Sequence, residues 1–103
     1  MYLKLVLLNV DLQSGFTGDA VIVKINQEEV FRKKNVSTNL LLGYAEHFQQ
    51  DLPEGDTTIE VELPQRNLTE NTLLHLYEPL YLGISIEENR LVFITRKEAF
   101  SYV

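Results

Sequence analysis

Leu52-Pro-Glu-Gly-Asp-Thr-Thr-Ile-Glu-Val-Glu-Leu-Pro64 decides the fold class of this 103-residue chain. Pro53, Glu54, Gly55 and Asp56 are turn formers that open onto a strict two-residue alternation. Thr57, Ile59, Val61 and Leu63 fall on one side, and Thr58, Glu60 and Glu62 on the other. That is the pattern of a strand with one buried and one wet face.

Working upstream, the alternation of Leu3, Leu5 and Leu7 with Tyr2, Lys4 and Val6 predicts a strand that starts almost at Met1. Asp11 to Asp19, with two glycines and a serine, reads as a loop. Ala20 to Lys33 predicts a hairpin. With Asn26 and Gln27 in the turn, Lys24 faces Glu29, Val23 faces Val30 and Ile22 faces Phe31. Residues 36–50 admit two readings. Leu41, Ala45, Phe48 and Leu52 have helical spacing, with Ser37, Thr38 or Asn39 as N-cap. Leu40, Leu42, Tyr44, Glu46 and Phe48 alternate as a strand would. Gly43 costs about 1 kcal/mol inside a helix, and the segment runs into the Pro-Glu-Gly turn, so the strand reading is preferred.

Downstream, Gln65 to Asn71 is polar, Thr72 to Tyr77 is an apolar run, and Glu78-Pro79 interrupts the chain. Leu80 to Ile86 alternates again. A turn at Glu88-Asn89 sets Glu87 opposite Arg90, Ile86 opposite Leu91 and Ile84 opposite Phe93. Ala99 to Val103 suggests one more short strand. These elements predict a single all-β domain, an antiparallel β-sandwich of seven or eight strands, Greek-key/Ig-like or jelly-roll-like.

Composition narrows the function classes. A net charge of −6, with nine Lys and Arg scattered among fifteen Asp and Glu, argues against nucleic acid. The one basic cluster, Arg32-Lys33-Lys34, is preceded by Glu28 and Glu29 in the same hairpin. No cysteine is present, so disulfides, thiolate metal sites and a Cys nucleophile are excluded. Leu5 to Leu8 is too short for a signal segment, and nothing approaches a membrane span, so the expectation is a cytoplasmic protein without a membrane role. The triplets Asn35-Val-Ser37 and Asn67-Leu-Thr69 are taken as chance glycosylation matches.

Three functional expectations follow. The leading one is a non-enzymatic interaction module that binds a protein partner or forms a homo-oligomer through a strand edge or sheet face. Ile22, Val92 and Ile94 would point away from the core, and Tyr44 and Tyr81 add aromatic surface. The second is a ligand module. Asp11, Asp19, Asp51 and Asp56 sit in or beside loops, and converging at one end they would supply oxygens for Ca²⁺. Tyr44, Tyr77, Tyr81 and Tyr102 would serve for sugar stacking if two shared a face. The third is an enzyme using His47, His75 or the Glu60/Glu62 pair, although no recognisable nucleophile motif accompanies them. The terminal Ser101-Tyr102-Val103 resembles the carboxylate tails that PDZ domains capture.

Overall fold

The computed structural model describes residues 4–102. The expected strand start at Met1 to Leu3, and the terminal Val103 of the carboxylate-tail reading, lie outside the described residues. Eight strands form: β1 (Leu5–Leu12), β2 (Thr17–Ile25), β3 (Glu28–Ser37), β4 (Glu46–Pro53), β5 (Gly55–Leu63), β6 (Leu68–Leu76), β7 (Leu80–Glu87) and β8 (Arg90–Arg96). They make two four-stranded sheets, one in the order β4-β1-β7-β8 and the other β3-β2-β5-β6, around a shared apolar core. The all-β sandwich expected from the sequence is the fold. Its pairing is antiparallel except for β1 and β7, which run parallel with Leu8 opposite Leu80 and Leu12 opposite Ile84. No hairpin joins that pair, so no short turn forces the antiparallel direction.

The core is built by alternation on the four central strands. Val6, Leu8, Val10 and Leu12 of β1, Val21, Val23 and Ile25 of β2, Ile59, Val61 and Leu63 of β5, and Leu82, Ile84 and Ile86 of β7 are each 7% exposed or less. Burying each side chain is worth about 1.5–3 kcal/mol. The β5 reading holds at every position: Thr57, Ile59, Val61 and Leu63 face in, and Thr58, Glu60 and Glu62 face out. One open side of the sandwich is closed by Phe31 stacked on Phe48, with ring centroids 4.8 Å apart. The other is closed by Glu70 of β6, which accepts from the Arg90 guanidinium and the Leu91 amide of β8.

Both two-residue hairpin turns form as read. Asn26, Gln27, Glu88 and Asn89 all adopt positive φ, from 49 to 70°, as the turn that matches strand twist requires. The β7–β8 register is the expected one. In β2–β3, Lys24 faces Glu29 as expected, but a bulge then sets Val23 opposite Phe31 and Ile22 opposite Arg32. The extra residue, Val30, lets both Val30 and Phe31 pack against the core. Residues 36–50 are neither a helix nor one continuous strand. β3 ends at Ser37, a turn capped by an Asn39–Tyr44 bridge intervenes, and β4 begins at Glu46. Gly43 takes φ +87° in that turn, a conformation glycine adopts without steric cost. No strand forms at 99–102, which instead returns over the outer face of the β4-β1-β7-β8 sheet.

Candidate functional site

The outer face of the β4-β1-β7-β8 sheet carries a densely linked group of polar side chains. Strand register sets His47, Asp11, Gly83 and Ile94 in one row across the sheet, and Gln49, Asn9, Tyr81 and Arg96 in the next. The Asp11 side chain is only 13% exposed, and both its oxygens are engaged. Its Oδ1 lies 2.8 Å from His47 Nδ1, and its Oδ2 accepts from the Tyr102 hydroxyl at 2.5 Å. Gln13 Nε2 donates in turn to that hydroxyl at 3.0 Å.

Burial is the main force on the Tyr102 hydroxyl and, with the proton it donates to Asp11, pushes its pKa up to about 12. It therefore stays protonated and donating at neutral pH. The glycine at 83 makes the arrangement fit, since a Cβ there would meet the Gln13 amide at 2.5–2.7 Å. The Tyr102 ring packs against Tyr44 with centroids 5.1 Å apart. Asp11, Tyr44, His47, Tyr81, Ala99 and Tyr102 line a cleft of about 240 Å³.

The four aspartates expected to share a calcium ion are not brought together. Asp11 belongs to the cleft. Asp51 sits opposite Leu7 on β4, four residues and roughly 13 Å along the strand from the Asp11 row. Asp19 and Asp56 lie at opposite ends of the other sheet, as the β2–β5 register shows. Asp19 is 4% exposed and locked to Arg66, while Asp56 bonds His75 at 2.6 Å in a solvent-exposed pair. Among the described residues no three His, Asp or Glu gather as a metal ion would need. Glu60 and Glu62 face out beside Lys24 and Ile22 respectively, and Glu60 lies 3.9 Å from the Lys24 ammonium. Asn35 and Asn67, the heads of the two glycosylation-like triplets, take positive φ of 56° and 52°, a backbone role that favours asparagine.

Of the three apolar residues expected to face out, Ile22 is only 6% exposed. Its cross-strand neighbours are Arg32 and Glu62, whose methylene stems cover apolar surface while their charged ends stay wet. Val92 is half-buried and Ile94 is 44% exposed. Leu5, Leu73 and Tyr77 are also exposed, but the run of consecutive exposed apolar residues lies elsewhere. Leu40, Leu41 and Leu42 are 92%, 96% and 51% exposed on the turn between β3 and β4. Asn39 fixes that turn: its side-chain oxygen accepts from the amides of Leu41 and Leu42, and its carbonyl accepts from Gly43.

Beside the turn, a groove of about 510 Å³ runs between residues 14–17 and 37–40, with Phe16, Thr38 and Leu40 among its walls. The segments 13–18 and 35–45 contain no charged residue in a chain that is 23% charged. The leucines were visible in the sequence, but their alternation with Gly43 and Tyr44 reads equally as strand. No helix among the described residues is long and apolar enough to cross a membrane. Compared with models of known protein families and with curated proteins, the sequence matches none.

Proposed function

We propose that the protein is a non-enzymatic interaction module whose contact surface is the uncharged end bearing Leu40, Leu41 and Leu42, and that it pairs there with a second copy of itself. The observation that carries this reading is an ordered turn, held by four Asn39 hydrogen bonds, presenting consecutive leucines to solvent. Contiguous exposed apolar surface of this kind marks association sites.

Three features favour a second copy. The projecting leucines and the groove share Leu40, so a two-fold axis sets the projection of each copy against the groove of the other. Absence of charge on both loops lets two chains of net charge −6 meet without like-charge contacts. Finally, residues 35–65 contain no Lys or Arg, so the turn lacks the basic collar with which apolar segments hold to anionic lipid. The three side chains expose the equivalent of about 2.4 leucines, worth ~4–7 kcal/mol per subunit on burial. For a symmetric pair this gain is of the same order as the association cost of about 4–15 kcal/mol, so a weak, concentration-dependent dimer is expected.

Sedimentation velocity across a concentration series tests it. The wild type is expected to show a mass rising toward the dimer by ~0.5 mM, and Leu41→Asp to remain monomeric. Leu41 is nearly fully exposed, so the variant keeps wild-type stability to within ~0.5 kcal/mol. A wild-type mass fixed at the monomer value throughout sinks self-association. A dimer that survives Leu41→Asp moves the interface elsewhere.

A further inference from the structure

We propose that the cleft on the outer face of the β4-β1-β7-β8 sheet is a binding site for a neutral sugar ring. The cleft draws on strands β1, β4 and β7, the 39–44 turn and the C-terminal segment, and its size is below the roughly 300–1,000 Å³ of pockets for drug-sized ligands. Its walls include three tyrosines, side chains that pair an apolar ring with a polar tip. Such walls suit a small ring that has apolar faces and a polar rim.

Hydrogen bonding narrows the ligand further. The internal network takes both oxygens of Asp11, Nδ1 of His47 and the Tyr102 hydroxyl. It uses neither Nε2 of the half-exposed His47 nor the hydroxyls of Tyr44 and Tyr81. Asn9 lies on the same sheet face as the cleft. It is 3% exposed, directly opposite Tyr81 across the β1–β7 pair, and one alternation step from Asp11. Its Oδ1 accepts from Gln49 Nε2 at 2.7 Å, whereas its Nδ2 is buried with no partner. A buried donor left unpaired is costly, but this one is not among the groups that line the cleft. A quaternary ammonium ion, which tyrosine walls also attract, has no acceptor to offer and would leave the imidazole and hydroxyls idle. An anion would meet Asp11 with no Lys or Arg in the lining. Hydroxyl groups, each both donor and acceptor, match the unused imidazole nitrogen of His47 and the hydroxyls of Tyr44 and Tyr81.

The cleft borders the leucine surface, because Tyr102, which lines it, also lies beside Leu40, Leu41 and Leu42. The test is an amide NMR titration of the full chain with the methyl glycosides of glucose, galactose, mannose, xylose and N-acetylglucosamine, each to ~20 mM, about twenty times a millimolar Kd. Choline serves as the cationic comparison. At least one glycoside is expected to give saturable shifts centred on Asp11, Tyr44, His47, Tyr81 and Tyr102. Tyr81→Ala, which spares the Asp11–Tyr102 network, is expected to weaken that binding tenfold or more. His47→Ala, at an exposed position, is a second variant expected to weaken it. Absence of saturable shifts with every glycoside overturns the proposal. So does binding that both variants leave unchanged, or saturation by choline alone.

Discussion

Replacing Arg66 with alanine should unfold this protein more readily than any surface substitution, and the loss should depend on pH in a defined direction. Asp19 is 4% exposed, and Arg66 grips it with two bonds, Nε to Oδ1 at 2.7 Å and Nη2 to Oδ2 at 3.0 Å. The Thr17 amide adds a third at 2.9 Å. Arg66 Nη2 also donates to the Gly15 carbonyl and to Thr17 Oγ1, each at 3.2 Å. Removing one partner of a buried pair costs about 3–5 kcal/mol, because the other charge is left without compensation. Here the Arg66 side chain is 24% exposed and the Thr17 amide remains, so water and one donor relieve part of that cost. The expected loss is ~2–3 kcal/mol, or about 10–20 °C in Tm for a domain of this size.

Burial alone would raise the Asp19 carboxyl, but the Arg66 bonds, the Thr17 amide and the Arg66 charge outweigh it and hold the pKa below the ordinary value. A depressed carboxyl contributes stability above its unfolded pKa, near 3.9, and that contribution is lost as pH falls through the folded value. In Arg66→Ala the burial stays while its largest counterweight goes. The gap between wild type and variant should therefore be widest near pH 7 and narrow below about pH 4. Urea denaturation followed by far-UV circular dichroism at both pH values measures it. The double variant Asp19→Asn/Arg66→Met removes both charges and should lose less than Arg66→Ala alone. A loss below ~1 kcal/mol for Arg66→Ala, or a gap that widens in acid, refutes the reasoning.

Two further expectations concern the remaining contacts. The Arg90 hydrogen bonds, then the Leu91 amide, pull the Glu70 carboxyl down to about 2. Its stabilisation should thus be present above pH 4.5 and disappear toward pH 2. With Arg90 72% exposed, solvent screening keeps that contribution small. Unfolding midpoints between pH 6 and 2 should fall more steeply for the wild type than for Glu70→Gln, and equal slopes would dismiss the clasp. Gly15 and Gly18 both have positive φ, +90° and +78°, but only Gly15 lacks space, since its Cβ would strike the Ile86 carbonyl. Gly15→Ala should cost at least ~2 kcal/mol and Gly18→Ala about 1 kcal/mol, the backbone strain alone. Thermal melts of the pair compare them, and equal losses would mean that the 13–16 loop does not pack against β7 as described.

What the sequence revealed was governed by locality. Alternation on β5 and β7, and turns that need positive φ at Asn26 and Asn89, depend on neighbouring residues, so they were legible. The β2–β3 register failed just past Lys24, because an extra residue at Val30 leaves no mark in the alternation. Leu40 to Leu42 misled for a different reason. Apolar residues are normally read as buried, and nothing local distinguishes leucines on a turn from leucines on a strand. The cleft was the least legible feature. Asp11 meets His47 36 residues away and Tyr102 91 residues away, through a parallel β1–β7 pairing that no hairpin announces. The tyrosines of a possible sugar face could be named, but not the grouping of Tyr44, Tyr81 and Tyr102, and Asn9 gave no signal at all.

The way this fold covers its own surfaces bears on where it can meet another chain. The outer face of the β4-β1-β7-β8 sheet holds buried polar groups, Asn9 at 3% and Ser85 at 6% exposure. Ser85 is bonded by Ser14, and Tyr102 is bonded to Asp11 and Gln13 above the same sheet. The part of the face under its own loop and C-terminal segment is not open to stack on a second sheet, although Ile94 on the β8 side stays 44% exposed. The edges are guarded as well. β3 is irregularly paired and carries Arg32, Lys33 and Lys34, features that discourage added strands. At the β6 and β8 edges, Glu70 ties the two sheets together. Outward apolar residues at Ile22 and Val92 are thus covered or half-covered within the chain. The leucines of the 39–44 turn differ, because Asn39 holds their backbone while their side chains remain in water. Burial of those side chains is a favourable free-energy change that the isolated domain leaves unused, which is why the uncharged end, rather than a sheet face, is the place to look for a partner.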